Sequence, residues 1–257
     1  MNYKTINFAQ FSSIKIGSSV DVALIEDDTV PPHHTIIGLA NNILISPTPP
    51  PLMMLSKEYS FIEIDADRLR IGAATPSGKI ASFTKKHNIA NFEYCSRLPG
   101  SLGGMIKMNA GLKEYEIFNH LLAIRTADGW IEKSDIDYGY RTTSIDSVVF
   151  EAIFELHSGY DIEKFAMFDA MRSNQPSTAS AGSCFKNPVG DYAGRLIEAV
   201  GLKGVRRGAM EFSAVHANFL VNHGGGTYED AIYLIDEAKR RVLESFNIAL
   251  ECEIIII

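Results

Sequence analysis

The sequence has little cysteine, no long apolar run and no leader-like start. Its three cysteines, Cys95, Cys184 and Cys252, are widely separated. This odd number without a Cys-x-x-Cys pair predicts neither a disulfide framework nor a zinc site, and it favours a reducing compartment. The longest apolar runs fall far short of the roughly 20 residues that span a membrane. The first residues lack a basic region followed by an apolar one. We therefore expect a cytoplasmic protein without a signal peptide or a membrane partner.

Basic residues are also scarce. Lys and Arg number 24 against 31 Asp and Glu, which gives a formal net charge of −7. A chain this acidic is a poor general binder of nucleic acid, because the phosphate backbone requires a basic surface. Residues 72–79 resemble a P-loop but have one residue too many between the glycines, and no Gly-x-Gly-x-x-Gly follows a strand. A small anionic ligand remains compatible, provided that its cationic partners are clustered.

What the sequence does contain is a mixture of strand and helix patterns, which predicts an α+β fold. Asp128-Gly129 is typical of a hairpin turn, Ser77 and Thr227 are predicted helix N-caps, and the terminal isoleucine run predicts a buried strand. The predicted strands are residues 20–25, 35–37, 43–45, 61–64, 69–73, 147–156 and 254–257, and the predicted helices are residues 77–87, 161–172, 192–200 and 228–246.

Several segments combine glycine with polar side chains. Residues 98–111 hold four glycines, which let a main chain approach a pyrophosphate closely, although a glycine-rich turn explains them equally. Arg141 is suited to clamp a carboxylate. Ser183 follows a glycine in a polar segment, and Glu253 leads into the isoleucine run, where partial desolvation would let it donate a proton. Each has a plain alternative: a loop arginine, a local serine turn, a solvated strand end. His216 is more often structural than catalytic.

The order of these segments is more specific than any of them alone. The chain contains in turn GLANNIL from Gly38, PGSLGG with MNAG, YGYR, GSCFKNP with AGRLIEAVGLKG, HANFLVN and LECEI. This series resembles the UDP-N-acetylenolpyruvoylglucosamine reductases, the flavoenzyme family known as MurB, over about residues 8–257. The length resembles the compact subclass that lacks a tyrosine loop over the substrate.

The resemblance implies a PCMH/VAO-type FAD-binding domain followed by a MurB-type C-terminal substrate domain. The expected domains are residues 1–157, with two subdomains that divide near residue 50, and residues 158–257. The last strand, 249–257, is expected to pack back on the FAD domain. A monomer without a resident metal is expected.

The resemblance also implies roles for individual residues. Ser183 matches the proton donor, and Arg141 and Glu253 match the pair that stabilises an enolate. Tyr140, Lys186 and Asn187 match substrate-binding positions. The positions that match the flavin-binding stretches are Gly38, Asn41, Asn42, Pro99, Gly100, Ser101, Gly103, Gly104, Asn109, Ala110 and Gly111. The chain departs from the family at Leu39 and Ala40, which stand where glycines are usual, and at Asn41, which replaces a serine.

The implied function is an NADPH-dependent, FAD-mediated reduction of UDP-N-acetylglucosamine enolpyruvate to UDP-N-acetylmuramate. This reaction belongs to peptidoglycan precursor synthesis, and through it to cell wall biogenesis, cell shape and cell division. Two alternatives stay open. One is another FAD-dependent oxidoreductase of the same fold, and the other is a non-catalytic nucleotide-binding module.

Overall fold

The computed structural model describes all residues, 1–257. The helices are α1 (Phe8–Phe11), α2 (Ser77–Lys86), α3 (Leu102–Lys107), α4 (Ile162–Met171), α5 (Ala193–Ala199) and α6 (Tyr228–Phe246). The strands are β1 (Asn2–Asn7), β2 (Ser19–Ile25), β3 (Thr35–Ile36), β4 (Ile43–Leu44), β5 (Leu52–Leu55), β6 (Ile62–Asp65), β7 (Arg68–Gly72), β8 (Gly111–Leu112), β9 (Tyr115–Glu116), β10 (Leu121–Thr126), β11 (Gly129–Glu132), β12 (Tyr138–Gly139), β13 (Thr142–Thr143), β14 (Glu151–Glu155), β15 (Ala179–Ser183), β16 (Arg206–Arg207), β17 (Met210–Phe212), β18 (Phe219–Asn222) and β19 (Ile255–Ile256).

The chain divides into two compact units. The first unit comprises residues 1–4, 22–39 and 51–173, and the second unit comprises residues 5–21, 40–50 and 174–257. Both are therefore built from separated parts of the chain. Helix α4 belongs to the first unit because Phe168 packs edge-on against Tyr94 and Tyr115 in its core.

The first unit is organised around a five-stranded antiparallel sheet with the order β11-β10-β14-β7-β6. Strand β14 lies in the middle and pairs with β10 on one side and with β7 on the other, in a register that places Ala152 opposite Ile71. Apolar side chains from these strands, from α2 and from α4 form its core. A second, smaller core lies where β2 and β3 pair in parallel with β5, and it includes Phe150 stacked on Tyr59.

The second unit contains a four-stranded sheet with the order β15-β18-β17-β16 and the helices α5 and α6. Its core holds Phe185 and Phe212 from the sheet region and Leu234 and Val242 from α6. The short parallel pair β4–β19 belongs to the same unit, since Ile43 pairs with Ile255. Residues 40–50 and the end of the chain are thus joined by a sheet.

The strongest helix prediction is confirmed at both ends. Helix α6 begins and ends as predicted, and the hydroxyl of Thr227 accepts a hydrogen bond from the Asp230 N–H (3.1 Å). The predicted hairpin is also confirmed, because Thr126 pairs with Gly129, which has a φ of 112°.

One local prediction is wrong, and a second is wrong in part. Ser77 is not the cap of α2: Pro76 occupies that position, and the Ser77 hydroxyl donates to the Leu98 carbonyl instead. The terminal isoleucine run does contain a strand, β19, but this strand has only two residues, and Ile255 is exposed (44%) whereas the preceding Ile254 is buried (3%). This strand pairs only with β4, so one neighbour is too little to bury the whole run. None of the helices combines the length and apolarity that a membrane crossing requires.

Candidate functional site

The candidate residues of the first unit lie in stretches that contact each other. A Cβ atom added to Gly38 would lie 2.6 Å from Ser101 Oγ, so the chain needs glycine to pass this hydroxyl. The Gly103 N–H donates to the Ala73 carbonyl (2.8 Å), and a Cβ at Gly103 would lie 3.2 Å from the Ala73 Cβ. A Cβ at Gly104 would meet only Ser101 Oγ, at 3.8 Å. Protein atoms therefore occupy the space beside Gly38 and Gly103, whereas the space beside Gly104 is open.

Pro99 and Gly100 lead into this loop. Gly100 has a φ of 122°, a conformation that L side chains rarely adopt. Its carbonyl accepts a hydrogen bond from the Ser77 N–H (2.9 Å), and Pro76 forms an isolated bridge with Ser101. The start of α2 therefore fixes the course of the candidate stretch.

Asn109 is the most enclosed polar residue of the first unit's candidates. Its side chain is fully buried and its φ is 42°. The amide donates to Glu116 Oε2 (2.7 Å) and to the Gly139 carbonyl (3.1 Å), and its oxygen accepts from the Phe118 N–H (3.4 Å). Through these bonds Asn109 connects the glycine-rich stretch to the segment that contains Arg141.

Ala110 and Gly111 continue the same stretch. The Ala110 N–H donates to the Met105 carbonyl (2.8 Å) and closes the end of α3. Gly111 pairs with Glu116 in the β8–β9 ladder, and a Cβ there would collide with the Tyr115 carbonyl. Gly111 therefore requires a residue without a side chain for packing inside the protein.

Arg141 lies in the two-residue turn between β12 and β13, next to Tyr140. Its φ is 57°, an unusual value for a residue other than glycine, asparagine or aspartate. Nη2 donates to the Gly111 carbonyl (3.0 Å), and the guanidinium lies 5.3 Å from the centre of the Tyr140 ring. The strained turn and the hydrogen bond together hold the guanidinium beside the glycine-rich stretch.

Two further arginines, which the sequence did not single out, form a cluster with Arg141 in which Arg172 lies near both of the others. The pKa of Arg172 is lowered, first by burial and then by the positive charges of Arg141 and Arg97. Arg97 is ion-paired with Asp169. Only the tertiary fold could reveal this cluster, because its members are distant in the chain. A concentration of guanidinium groups favours an anionic ligand.

Ser183 ends strand β15 in the second unit. The preceding Gly182 has a φ of 81°, and the register of β15 against β18 shifts between Ser180 and Ser183, where Ser183 lies opposite Phe219. Such a bulge redirects a side chain away from the regular alternation of a strand. The next residue is fixed, since the Cys184 N–H donates to the Asn218 carbonyl (2.7 Å).

Glu253 lies beside the same turn of chain. Its N–H donates to the Cys184 carbonyl (2.9 Å), and its own carbonyl accepts a hydrogen bond from the Asn42 amide (2.8 Å). The Asn42 carbonyl in turn accepts from the Ile255 N–H (2.9 Å). The fold thus brings Ser183 and Glu253 into one neighbourhood, and Asn42 ties the terminal segment to it.

The other candidates of the second unit also have partners. Lys186 is ion-paired with Glu251, and the side-chain oxygen of Asn187 accepts a hydrogen bond from the Ala193 N–H (3.1 Å) at the start of α5. The Asn41 carbonyl accepts from the Ser13 hydroxyl (3.0 Å). The neighbouring Ala40 has a φ of 51°, a conformation in which a glycine would be unstrained.

Cys184 and His216 have environments that disfavour reactivity. Burial raises the pKa of the Cys184 thiol well above its ordinary value, so the nucleophilic thiolate is disfavoured. Burial lowers the pKa of His216, and its Nδ1 accepts a hydrogen bond from the Asn218 N–H (3.3 Å). A neutral, hydrogen-bonded imidazole in this position agrees with the structural interpretation of His216.

The candidates therefore form two groups, one in each unit. The first unit holds Gly38, the glycine-rich stretch, Tyr140 and Arg141, whereas the second holds Asn41, Asn42, Ser183, Lys186, Asn187 and Glu253. The first group fits FAD by its shape, because small residues line a fixed loop whose main chain is open to a ligand at Gly104.

Known proteins resemble this chain over its full length. Residues 174–257 match the family described as the C-terminal domain of UDP-N-acetylenolpyruvoylglucosamine reductase. The reductase of that name from Helicobacter hepaticus is 46% identical over 259 residues, which cover 99% of this chain and 98% of the relative. The one from Campylobacter jejuni is 46% identical over 257 residues, with 98% and 99% covered.

A solved structure shows the same fold. The crystal structure of UDP-N-acetylenolpyruvylglucosamine reductase (MurB) from Thermus caldophilus superimposes with a TM-score of 0.87 at 25% identity, and it covers 100% of this chain and 99% of its own. The predicted fold class is confirmed.

Proposed function

Because the chain belongs to the UDP-N-acetylenolpyruvoylglucosamine reductase family, a family of oxidoreductases, we propose that it reduces UDP-N-acetylglucosamine enolpyruvate to UDP-N-acetylmuramate. NADPH is the proposed hydride donor and FAD the proposed cofactor. The product makes this a step in peptidoglycan precursor synthesis. The observation that carries the proposal is the redirected serine at the end of β15, whose neighbour Cys184 accepts a hydrogen bond from the Glu253 N–H.

The first unit is proposed to hold FAD. Gly104 supports this because its main chain is open to a ligand, while Gly38 and Gly103 shape the same loop and Gly111 continues the stretch. Pro99, Gly100 and Ser101 shape the same loop, and Asn109 and Ala110 continue it. Asn41 and Asn42, which belong to the second unit, are proposed as FAD-binding residues on the family resemblance alone. Bound FAD would supply the hydride-transfer chemistry.

Ser183 is proposed to act as the general acid. Addition of a hydride to the enolpyruvyl β-carbon leaves negative charge on the α-carbon, and that carbon must then receive a proton. A hydroxyl donates such a proton only if its position is fixed. The bulge after Ser180 and the hydrogen bond from Cys184 to Asn218 supply that rigidity.

Arg141 and Glu253 are proposed to stabilise the enolate. The guanidinium of Arg141 suits a carboxylate because its N–H groups form two parallel hydrogen bonds. The lowered pKa of Arg172, caused by burial and then by Arg141 and Arg97, is evidence of a positive environment around it. Glu253, in its protonated form, would donate a hydrogen bond to the same developing charge.

Tyr140, Lys186 and Asn187 are proposed to bind the UDP-sugar. The contact of Tyr140 with the Arg141 guanidinium keeps the aromatic ring beside a proposed reaction group. The ammonium group of Lys186 is proposed to bind a phosphate of the substrate. Without substrate it is ion-paired with Glu251. The side-chain oxygen of Asn187 accepts a hydrogen bond at the start of α5, so its amide N–H groups would be the donors to the substrate.

The test begins with the purified protein. We expect a yellow chain with a flavin absorption spectrum, oxidation of NADPH that depends on UDP-N-acetylglucosamine enolpyruvate, and UDP-N-acetylmuramate as the product by mass spectrometry. Turnover with dioxygen but not with the enolpyruvyl sugar would instead indicate another FAD-dependent oxidoreductase of the same fold. A colourless protein that binds nucleotide without oxidising NADPH would indicate a non-catalytic module.

We further propose that the protein works as a monomer in the cytoplasm. The reducing environment expected there agrees with the three free cysteines. Size-exclusion chromatography with light scattering should give the mass of one chain, 28.3 kDa. A stable dimer would contradict this part of the proposal and leave the reaction unaffected.

A further inference from the structure

A cluster of three metal-ligating side chains lies in the first unit, outside the residues assigned above. His120, Glu155 and His157 each offer one ligand atom, and these atoms all lie within 4.8 Å of one another. His157 Nε2 is 3.0 Å from Glu155 Oε2, and His120 Nδ1 is 3.4 Å from the same oxygen. We call this cluster the two-histidine site. The reaction proposed above uses none of its members.

The backbone of the two-histidine site is fixed by the central sheet. Glu155 is the last residue of β14, and its N–H donates to the carbonyl of His120 (3.0 Å), the residue that precedes β10. The carbonyl of His157 accepts a hydrogen bond from the Ala90 N–H (2.9 Å). A ligand that joins the three side chains would therefore order only side-chain torsions, which keeps the entropic cost of binding small.

The separations match the coordination of a small divalent ion. Zinc bonds of 2.0–2.1 Å in tetrahedral geometry place neighbouring ligand atoms about 3.3 Å apart. The two imidazole nitrogens lie close to that separation from Glu155 Oε2, at 3.0 Å and 3.4 Å, and they lie within 4.8 Å of each other. Two imidazole nitrogens and one carboxylate oxygen are also the ligands of zinc sites that keep a fourth position open, whereas calcium and magnesium prefer all-oxygen sites.

The site is open to ions from solution. The side chains of His120, Glu155 and His157 are 32%, 46% and 52% exposed. Arg68 lies opposite Glu155 in the β7–β14 pair, but it is also near Asp67, which offsets its charge.

We propose that His120, Glu155 and His157 form a three-ligand site for a divalent transition-metal ion, with Zn²⁺ as the ion of best fit. The bound ion would cross-link the start of β10 to the end of β14 and so stabilise the first unit. The sequence could not indicate it, because the first ligand lies 35 residues from the second and no cysteine takes part.

The competing interpretation is a pair of hydrogen bonds from the imidazoles to the carboxylate. Such a network needs ring nitrogens that carry protons toward Glu155, whereas a metal needs the lone pairs of those same nitrogens. The two interpretations therefore differ in their response to zinc, and titration of the protein separates them.

The experiment uses full-length, untagged protein treated with a chelator and then titrated with zinc chloride in a calorimeter. Wild type should bind one saturable equivalent of zinc that raises the melting temperature. His157→Ala, His120→Asn and Glu155→Gln should each weaken that binding by at least about 100-fold, since each removes a direct ligand. The double variant His33→Gln/His34→Gln removes two neighbouring histidines elsewhere and should bind zinc like wild type.

Three variants keep the test decisive if one fails to fold, and melting curves without zinc report on folding. Absence of saturable binding in wild type would overturn the proposal. So would equal zinc affinity in wild type and in the folded variants of the site. Zinc binding that is lost only in the His33/His34 variant would assign the ion to that pair and would also overturn it.

Discussion

Two buried polar side chains, Glu151 in the first unit and Asn218 in the second, are held in different ways. In the first unit, Glu151 is buried (1% exposed) and ion-paired with both Arg70 and Arg125. In the second unit the buried polar groups include neutral amides: Asn218 bonds both the N–H (3.0 Å) and the carbonyl (2.8 Å) of Phe185. An ionised carboxylate thus joins strands at Glu151, whereas a neutral amide holds loop backbone at Asn218.

The candidate residues of the two units also differ in what they contribute. In the first unit, glycines give the chain a shape that a side chain would obstruct, as at Gly103. In the second unit, Ser183 and Glu253 are proposed to act through their side chains. Substitutions of the first unit's candidate glycines should therefore alter binding of the cofactor, while substitutions of Ser183 and Glu253 should alter the chemical step.

Ser183→Ala should have the largest effect on catalysis. Loss of a general acid typically slows the step by about 10²–10⁴-fold. Stopped-flow absorbance should show that bleaching of the flavin by NADPH is unchanged, while its recovery on addition of the enolpyruvyl sugar is slowed. Ser180→Ala, on the same strand, should leave both phases unchanged. Equal slowing of both phases by Ser183→Ala would contradict the assigned role.

Glu151→Gln should cause the largest loss of stability. It tests whether ion pairs hold the buried site at Glu151, in contrast to the amide bonds at Asn218. We expect the free energy of unfolding to fall by about 3 kcal/mol, the lower end for breaking a buried ion pair, because both arginines retain contact with solvent. Urea denaturation measures the change. Raising the salt concentration from about 0.1 M to about 1 M should reduce the difference from wild type, since salt screens the partly exposed partners.

Asn218→Ala is the matched substitution in the second unit. It leaves the N–H and carbonyl of Phe185 without their side-chain partner, which should cost about 2–3 kcal/mol. The same salt series should leave this loss unchanged, because no ionised group takes part. If the loss in free energy of unfolding for Asn218→Ala depended on salt as strongly as that for Glu151→Gln, the proposed contrast between the two sites would be wrong.

Gly104→Ala should weaken flavin binding without weakening the fold. The added methyl meets no protein atom closer than 3.8 Å, so it obstructs only a ligand that approaches the main chain. We expect a cost of about 1–3 kcal/mol in binding, measured by flavin fluorescence on titration of the stripped protein. Gly78→Ala, with no atom within 4 Å of the new methyl, should bind flavin normally. Unchanged flavin affinity in Gly104→Ala would argue against contact at this position.

The smallest expected effect concerns His216 and pH. Burial lowers its pKa below the ordinary 6.5. The unfolded chain therefore takes up a proton near that pH while the folded chain does not, so the free energy of unfolding falls as pH drops through 6.5. Urea denaturation from about pH 8 to about pH 5 should show a shallower decline for His216→Gln than for wild type. His33→Gln, at an exposed position, should follow wild type.

The sequence predicted best where local physics decides the outcome. The apolar stripe of α6, its N-cap at Thr227 and the turn at Asp128-Gly129 each form from residues that are close together in the sequence. The cap prediction failed at Ser77, because its hydroxyl donates instead to the Leu98 carbonyl, 21 residues away. The strand prediction failed in part at the isoleucine run, because burial there depends on how many strands flank it.

The candidate residues could be found from the order of their motifs, but their surroundings could not. The bulge before Ser183, the left-handed turn at Arg141 and the bond from Asn42 to Glu253 all depend on contacts between distant parts of the chain. The same is true of Arg97 and Arg172 and of the two-histidine site, which no local pattern marks.

The discontinuous make-up of the second unit limits how the protein can be dissected. Ile14, Ile16 and Leu44 belong to its core together with Phe185 and Phe212. A fragment that starts at residue 174 would lack the first three and leave apolar surface open to water, which favours aggregation over folding. A chimaera that exchanges this unit between relatives must therefore also transplant residues 5–21 and 40–50, in which case its interior is exchanged intact.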